Sequence, residues 1–437
     1  MMTITDFLLQ FKYAAYHAFR AIVPEERDRI PITWNNSIYP ILCYVPFIFM
    51  AYLTRRPDTH LIRLLLLPSC ITAIFVAAYR FTWTTPELNV YNWGQCCFAA
   101  VVLSKSLEFA VRKEGMLKVG ESRPGVKKGK EKDKDSPNGN VNGYIEHDEP
   151  RRNPLIAPWF YDAMEVAHTL RGLRWKFGQG VHIPKETRPL EPSAFLRATF
   201  FLFIKNYLFL DLLESTLKLF PGVGQPLGGS MFYLQLTPVT RYAVSTTIHI
   251  LTGTAILAGF EMVYNLITLF AVGAFDSSPL SWPPAMDHPW RAESMHEFWS
   301  KNWHQFLRQT FLVFGGYPGK WLGGHIGMLF GTFLASGLFH ECAMYAMGRG
   351  YDHSATIFFG LQGPVLLLER LWRRVTGKRV GGWSGRLWVY FMMFVCAQPM
   401  VNAWHRRGLG GGMVIPPLLS PTRLILLPVL KKLLRGT

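Results

Sequence analysis

The chain has 437 residues, of which 49% are hydrophobic and 14% aromatic, and 46 Lys and Arg against 29 Asp and Glu give a formal charge of +17. A soluble protein of this length shows amphipathic helices or alternating strands, whereas here apolar blocks of roughly 16–30 residues recur between short polar or basic segments, as in repeated membrane spans. The charges flank those blocks and no nucleic-acid-binding module accompanies them, so the basic balance reads as loop bias in a membrane protein and not as a nucleic-acid partner.

Taken in chain order, the first twenty residues, MMTITDFLLQFKYAAYHAFR, carry charges inside the apolar stretch and lack a small-residue cleavage site, so no cleaved signal peptide is read. Spans are expected at 38–54, 60–80, 92–112, 195–220, 242–272, 325–347, 354–369, 386–404 and 413–430. This predicts an all-α, polytopic integral membrane protein with about eight to nine transmembrane helices. Residues 1–112 form an N-terminal membrane block, 113–153 a charged, Gly/Pro/Asn-containing cytosolic loop read as disordered, and 154–437 a second membrane domain. The stretch 273–324 is too polar to span and too aromatic for a simple linker.

With the charged loop in the cytosol, alternation puts 273–324, RLWRRVTGKR at 370–379 and the terminal KKLLR on the same side, as the positive-inside rule requires. WHRRGLGGG at 404–412 falls on the other side, against that rule, and Asn35 in NNS becomes a lumenal glycan candidate. The six cysteines, Cys43, Cys70, Cys96, Cys97, Cys342 and Cys396, lie in apolar segments without zinc-ligand or disulfide-framework spacing, so reduced thiols and no metal site are expected.

Two polar elements interrupt this apolar background. In FLASGLFHECAMYA, His340 and Glu341 are the only strongly ionisable side chains between Ile326 and Met347, and an intramembrane imidazole or carboxylate is by default a functional signal. On a helix, Ser336 stands one turn from His340 on the same face, while Glu341 points about 100° away, positioned to orient a neighbouring element. The second element is EFWSKNWHQFLRQTF, 297–311, read as an amphipathic helix at the membrane surface. Its apolar stripe is Trp299, Trp303 and Phe306, and its polar side carries Lys301, His304 and Arg308. Taken alone, His304 reads as an interfacial residue with no chemistry.

Together, FWSKNWHQ and SGLFHE resemble the signature pair of the wax-synthase-like branch of the membrane-bound O-acyltransferase superfamily. Further similarity lies in RGLRWKFGQGVHIP at 171–184, PPAMDHPWRAESMHEFW from 283 and FFGLQGPVLLLERLWRR after the second motif, so it covers roughly 155–405. The 171–184 segment lacks a second Trp and an Asn of the family pattern, which bears on the substrate and not on the reaction type.

The resemblance implies an intramembrane catalytic cavity in which His340 is the base and His304 or Asn302 the helper. It also implies a multi-pass location in the endoplasmic reticulum and acyl transfer from a coenzyme A thioester, with no bound cofactor, to a hydroxyl. Neutral imidazole suits proton abstraction from an alcohol near physiological pH, and the tetrahedral oxyanion needs a donor. Trp299, Trp303, Ser336, Glu341, Phe333 and Phe339 are the expected substrate-binding residues, and Lys301 and Arg308 are expected to meet the polyanionic coenzyme A. Fungal relatives of this look acetylate terpenoid or meroterpenoid hydroxyls in secondary metabolism, so acetyl-CoA and a hydrophobic terpenoid-type alcohol are expected. Wax-type transfer of a long acyl chain is the alternative within the family. Outside enzymes, a transporter using His340, Glu341, Glu261 and Asp211 is the rival, and no internal repeat of the kind common in such folds is visible.

Overall fold

A computed structural model describes residues 4–127 and 157–435. The main helices are α1 (Ile4–Ile22), α2 (Ile38–Leu53), α3 (His60–Tyr79), α4 (Pro86–Val111), α5 (Pro158–His168), α6 (Pro192–Leu217), α7 (Pro238–Phe275), α8 (Arg308–Ala346), α9 (Ser354–Thr376), α10 (Gly382–Arg406) and α11 (Leu427–Arg435). Strand is confined, among the described residues, to two short pairings, Ile30–Pro31 with Phe81–Thr82 and Glu121–Arg123 with Val126–Lys127. Of these helices, α3, α4, α7, α8 and α10 are long and apolar enough to cross a membrane. The expected spans at 38–54, 195–220 and 354–369 are helical too, but α2 is short and broken near Cys43, and α6 carries Lys205, Asp211 and Glu214 within one apolar stretch. The span expected at 413–430 does not form as one helix, because its first half is irregular apart from a single turn at Pro417–Leu419 and helix begins only near Thr422.

Local sequence sets the helix ends. Glu191 caps α6 by accepting from the amides of Ser193 and Ala194, and Pro192 occupies the first helical position. α7 stops at Asp276 in the left-handed region, and α9 stops at Gly377, where glycine takes that conformation without steric cost.

Two separate hydrogen-bond networks tie the loops at opposite ends of the helices. At one end, Asn89 bonds the carbonyls of Met347 and Arg407, Arg29 bonds that of Ala346, and Arg349 bonds that of Leu227. At the other, Arg171 bonds the carbonyls of Pro283 and Pro284, Arg188 that of Trp282, Lys176 N that of Leu117, and Glu293 holds Gly382 and Arg386. The loops beginning at 112, 276 and 377 therefore share one end, in keeping with the sidedness read from the basic tracts.

The helix α8 is not a single rod. Gly323 and Gly324 leave helical geometry, the latter at φ 59°, and fold α8 into an antiparallel hairpin. Gly315 faces Gly331 and Gly319 faces Gly327 so closely that a Cβ at any of the four would collide with the opposite backbone. In lipid, helices gain little from hydrophobic attraction to one another, so close backbone approach through small residues supplies the packing. Phe311 against Phe339, ring centroids 5.4 Å apart, extends the pairing toward the open end.

The longer arm of this hairpin is shared by three apolar clusters. Ala343 and Ala346 join the core of α2–α5, Met344 joins that of α7, α9 and α10, and Phe333 packs with the segment around Phe298.

The charged loop differs from expectation at its start. Met116 and Leu117 are buried, and Glu121 forms a buried two-pronged ion pair with Arg55, both contacts at 2.8 Å. The segment up to Lys127 is thus docked on the membrane block, because an unpaired Arg55 in that position would be costly. The rest of the expected disordered loop lies outside the described residues.

Candidate active site

The segment before α8 is predicted by its sequence to form one helix lying flat at the membrane surface. It enters the protein instead. Ser294 caps a short helical turn, Met295–Glu297, which widens into a π-helix over Phe298–Asn302 and ends in extended backbone at Trp303. The amides of Met295 and His296 bond Glu369, and four residues on, the Trp299 indole bonds Gln362 Oε1 at 3.1 Å. Trp299 also packs on Phe359, 5.8 Å between rings. Between Glu369 and Phe359 α9 rises about 15 Å, so the segment descends by a similar amount. Non-helical backbone at that depth is tolerated because protein groups satisfy it: Gln305 Nε2 bonds the carbonyls of Trp299 and Trp303.

This insertion and the glycine hairpin bring His304 and His340 into one aromatic chamber. His340 stacks on Phe359 (4.7 Å, 12° between planes) and lies 5.3 Å from Phe339 and 6.1 Å from Trp404. His304 packs on Phe260 at 4.7 Å, Trp303 at 5.2 Å and Phe306 at 5.7 Å. Trp299 and Phe359 bridge the two, since Trp299 lies 6.5 Å from Trp303 and 5.9 Å from Phe333. Each histidine has a buried Nδ1 without a hydrogen-bond partner in the protein. Burial first, and then the neighbouring His340 and Arg171, push the His304 imidazole down to about 3, so it stays neutral at physiological pH.

Several expected site residues have other duties. Asn302 spends its amide on the Asp287 carbonyl at 2.5 Å and the His288 carbonyl at 3.5 Å, while the Asp287 amide returns a bond to the Asn302 carbonyl at 3.1 Å. Its NH₂ group is therefore not available as the oxyanion donor expected from sequence. Glu341 is expected to bind substrate, yet its Oε1 accepts from the amides of Asp352 at 2.9 Å and His353 at 3.0 Å, fixing the loop into α9. Lys301 is exposed, 3.9 Å from Glu297, and Arg308 is half-buried at the start of α8. Ser336 and Phe339 are buried on the same arm as His340, and Phe333 is half-buried against Trp299.

Other residues, singled out only as motif letters or not at all, position the chamber. Arg171 bonds Tyr264 Oη at 2.7 Å as well as the two proline carbonyls, and its guanidinium lies 5.0 Å above the Phe306 ring. His182 bonds Asp287 at 2.7 Å. Burial works to raise the Asp287 carboxyl, and the bonds from His182 and His288 outweigh it, holding the group below its ordinary range. Gln362 and Glu369 were legible in principle as lone polar residues in an apolar run.

Two clefts lie elsewhere. One, of about 270 Å³, is lined by residues 112–117 with Lys176 and Phe177, and the other by Leu208, Leu212 and the start of the C-terminal helical segment. Neither touches His304 or His340. Among the described residues no three His, Cys, Asp or Glu side chains converge as metal ligands, and all six cysteines are unpaired.

The segments that meet here are those that carry the sequence resemblance, and comparison with known proteins agrees. Residues 282–361 match the Membrane bound O-acyl transferase family. With its five span-length apolar helices, the chain is an integral membrane protein. Among individual proteins it is similar to the acetyltransferase aurG of Calcarisporium arbuscula, 26% identical over 38% of this chain and 43% of the relative. It is also similar to the O-mevalon transferase macI of Penicillium terrestre, 25% identical over 48% and 52%, and to the acetyltransferase atnC of an Arthrinium species, 25% identical over 53% and 59%. The chain thus spans about half the length of the curated relatives it matches.

Proposed function

We propose that the protein transfers an acyl group, acetyl from acetyl-CoA, to a hydroxyl of a hydrophobic, terpenoid-type alcohol in secondary metabolism, within the endoplasmic reticulum membrane. The observation that carries this reading is the meeting of His340 and His304 in one aromatic chamber inside a membrane protein, reached by an inserted segment with buried, unpartnered imidazole nitrogens. Names of similar proteins, two acetyltransferases and an O-mevalon transferase, support the same reaction class.

In this mechanism His340 takes the proton of the acceptor hydroxyl as its oxygen attacks the thioester carbon. The carbonyl electron pair moves onto oxygen, and His304, neutral, is the helper that donates to it. Collapse re-forms the carbonyl and expels coenzyme A as thiolate, which takes the proton back from His340. About fifteen residues of α8 separate His340 from the hairpin tip, roughly 22 Å. The thioester therefore reaches inward from the end where the basic loops lie, with Lys301 meeting its phosphates, while Arg308, level with His340 across the hairpin, stands too deep for that role, and the alcohol arrives from the bilayer. Phe339, buried between His340 and Phe311, and Phe333, against Trp299, close the acyl channel beyond a two-carbon group.

Membranes containing the protein, given labelled acetyl-, octanoyl- or palmitoyl-CoA with one terpenoid alcohol, test the proposal. The expected result is ester formation fastest with acetyl-CoA, and a loss of about 10²–10⁴-fold in His340→Ala with membrane insertion retained. Higher kcat/KM with the long donors would replace acetyl transfer by wax-type transfer. Equal activity in parent and His340→Ala would remove His340 from the mechanism.

A further inference from the structure

With the Asn302 amide committed to Asp287 and His288, the chamber has an oxyanion to stabilise and one fewer side chain to do it. Trp404, near the end of α10, answers that need. Its side chain is 8% exposed, and its Nε1–H is buried with no acceptor in the protein. Its ring lies 6.1 Å from that of His340, tilted by 57°, and its other aromatic neighbour, Trp93 at 6.4 Å, offers no lone pair for the N–H. The contrast with Trp299 is instructive, because that indole is satisfied by Gln362. A buried donor without an acceptor costs about 1–3 kcal/mol, so an indole left in this state beside an unpartnered imidazole marks a place for a ligand oxygen.

Which oxygen belongs there follows from the chemistry of the donor. Indole only donates and never accepts a proton. Placed on the acceptor hydroxyl, it would withdraw electron density from the nucleophile and oppose attack. Placed on the thioester carbonyl, it strengthens as that oxygen becomes negative.

We infer that Trp404 Nε1–H is an oxyanion donor of the acyl-transfer site, binding the thioester carbonyl oxygen beside His340; this rests on the acyl-CoA reading above. When the alcohol attacks, the carbonyl electron pair is received by an oxygen already bonded to the indole, and the bond is kept until the carbonyl re-forms.

The probe is a ¹³C-carbonyl analogue of acetyl-CoA in which a methylene replaces the thioester sulfur, giving a ketone that cannot transfer its acyl group. It is bound at saturation to the detergent-solubilised full chain, and the carbonyl infrared stretch is compared between the parent and Trp404→Phe. A second variant carries β-(3-benzothienyl)alanine at position 404, which keeps the shape of the indole and exchanges its N–H for sulfur, in case the smaller ring disturbs folding. The expected result is a stretch at lower wavenumber in the parent that moves back toward the free value in the variants. With acetyl-CoA and the terpenoid alcohol, kcat should fall by about 10²–10³-fold while KM for the donor changes little. If the analogue binds and its stretch is the same in all three proteins, Trp404 is not the donor and the acyl-CoA reading stands. If the analogue fails to bind the folded parent, both fall.

Discussion

His304 is held neutral by its surroundings, and that has a consequence for stability. In an unfolded chain imidazole titrates near 6.5, while in the fold burial, with His340 and Arg171 nearby, holds it at about 3. Acid therefore protonates the unfolded chain first, so the stabilisation is complete above about pH 6.5 and is lost progressively as pH falls toward about 3. Thermal melts of the solubilised protein should drop between pH 7.5 and pH 4.5, and His304→Gln, which cannot titrate, should flatten that drop. An unchanged slope in the variant would show that the imidazole is not buried as described. Glu341 offers a different test at the same scale. Glu341→Gln retains an acceptor for the Asp352 and His353 amides and should keep most of kcat. Glu341→Ala strips both amides of their partner and should destabilise the protein by about 1–3 kcal/mol. A collapse of kcat in Glu341→Gln with normal melting would return this carboxylate to the chemistry.

At the scale of the element, the glycine hairpin sets the spacing of the two histidines. Gly319→Ala or Gly331→Ala puts a methyl group into the opposite backbone and must push the arms apart, at a cost of about 1–3 kcal/mol. Because His340 lies on one arm and His304 just before the other, kcat should fall with stability. Gly323→Ala is the control. Nothing lies within 4 Å of its added Cβ and its φ is −141°, so it should melt and turn over like the parent. Equal effects at Gly319 and Gly323 would show that the hairpin does not set the site.

For the whole molecule, the docked segment up to Lys127 and the rest of the loop between the two membrane blocks can be tested separately. Deleting 128–156 with a short linker should leave activity near that of the parent in membranes. Extending the deletion back to 118 removes Glu121 and leaves Arg55 buried without its partner, a loss of about 3–5 kcal/mol that should appear as poor accumulation and low activity. Full activity in the longer deletion would mean that the hairpin of Glu121–Arg123 with Val126–Lys127 is dispensable. Inactivity in the shorter one would give the loop a part in catalysis.

What the sequence by itself determined is local in origin. Apolar runs of membrane length, basic borders, and a His-Glu pair inside one such run are properties of short windows, so the helical membrane character and the candidacy of His340 could be read directly. His304 became legible only through its motif company, since one imidazole on an amphipathic stretch carries no chemistry alone. What the tertiary structure decided depends on partners far apart in the chain. Trp299, Trp303 and Phe306, with Lys301, His304 and Arg308 opposite, gave the periodicity of a surface helix, yet Gln362, Glu369 and Arg171, from segments before and after, draw that stretch inward. Asn302 has the right chemistry for an oxyanion donor until Asp287 takes its amide. Trp404 had no periodicity or motif to mark it, and only the folding of α10 against α8 sets its unsatisfied N–H beside His340. Hydropathy is summed along the chain, whereas hydrogen-bond satisfaction is settled across it.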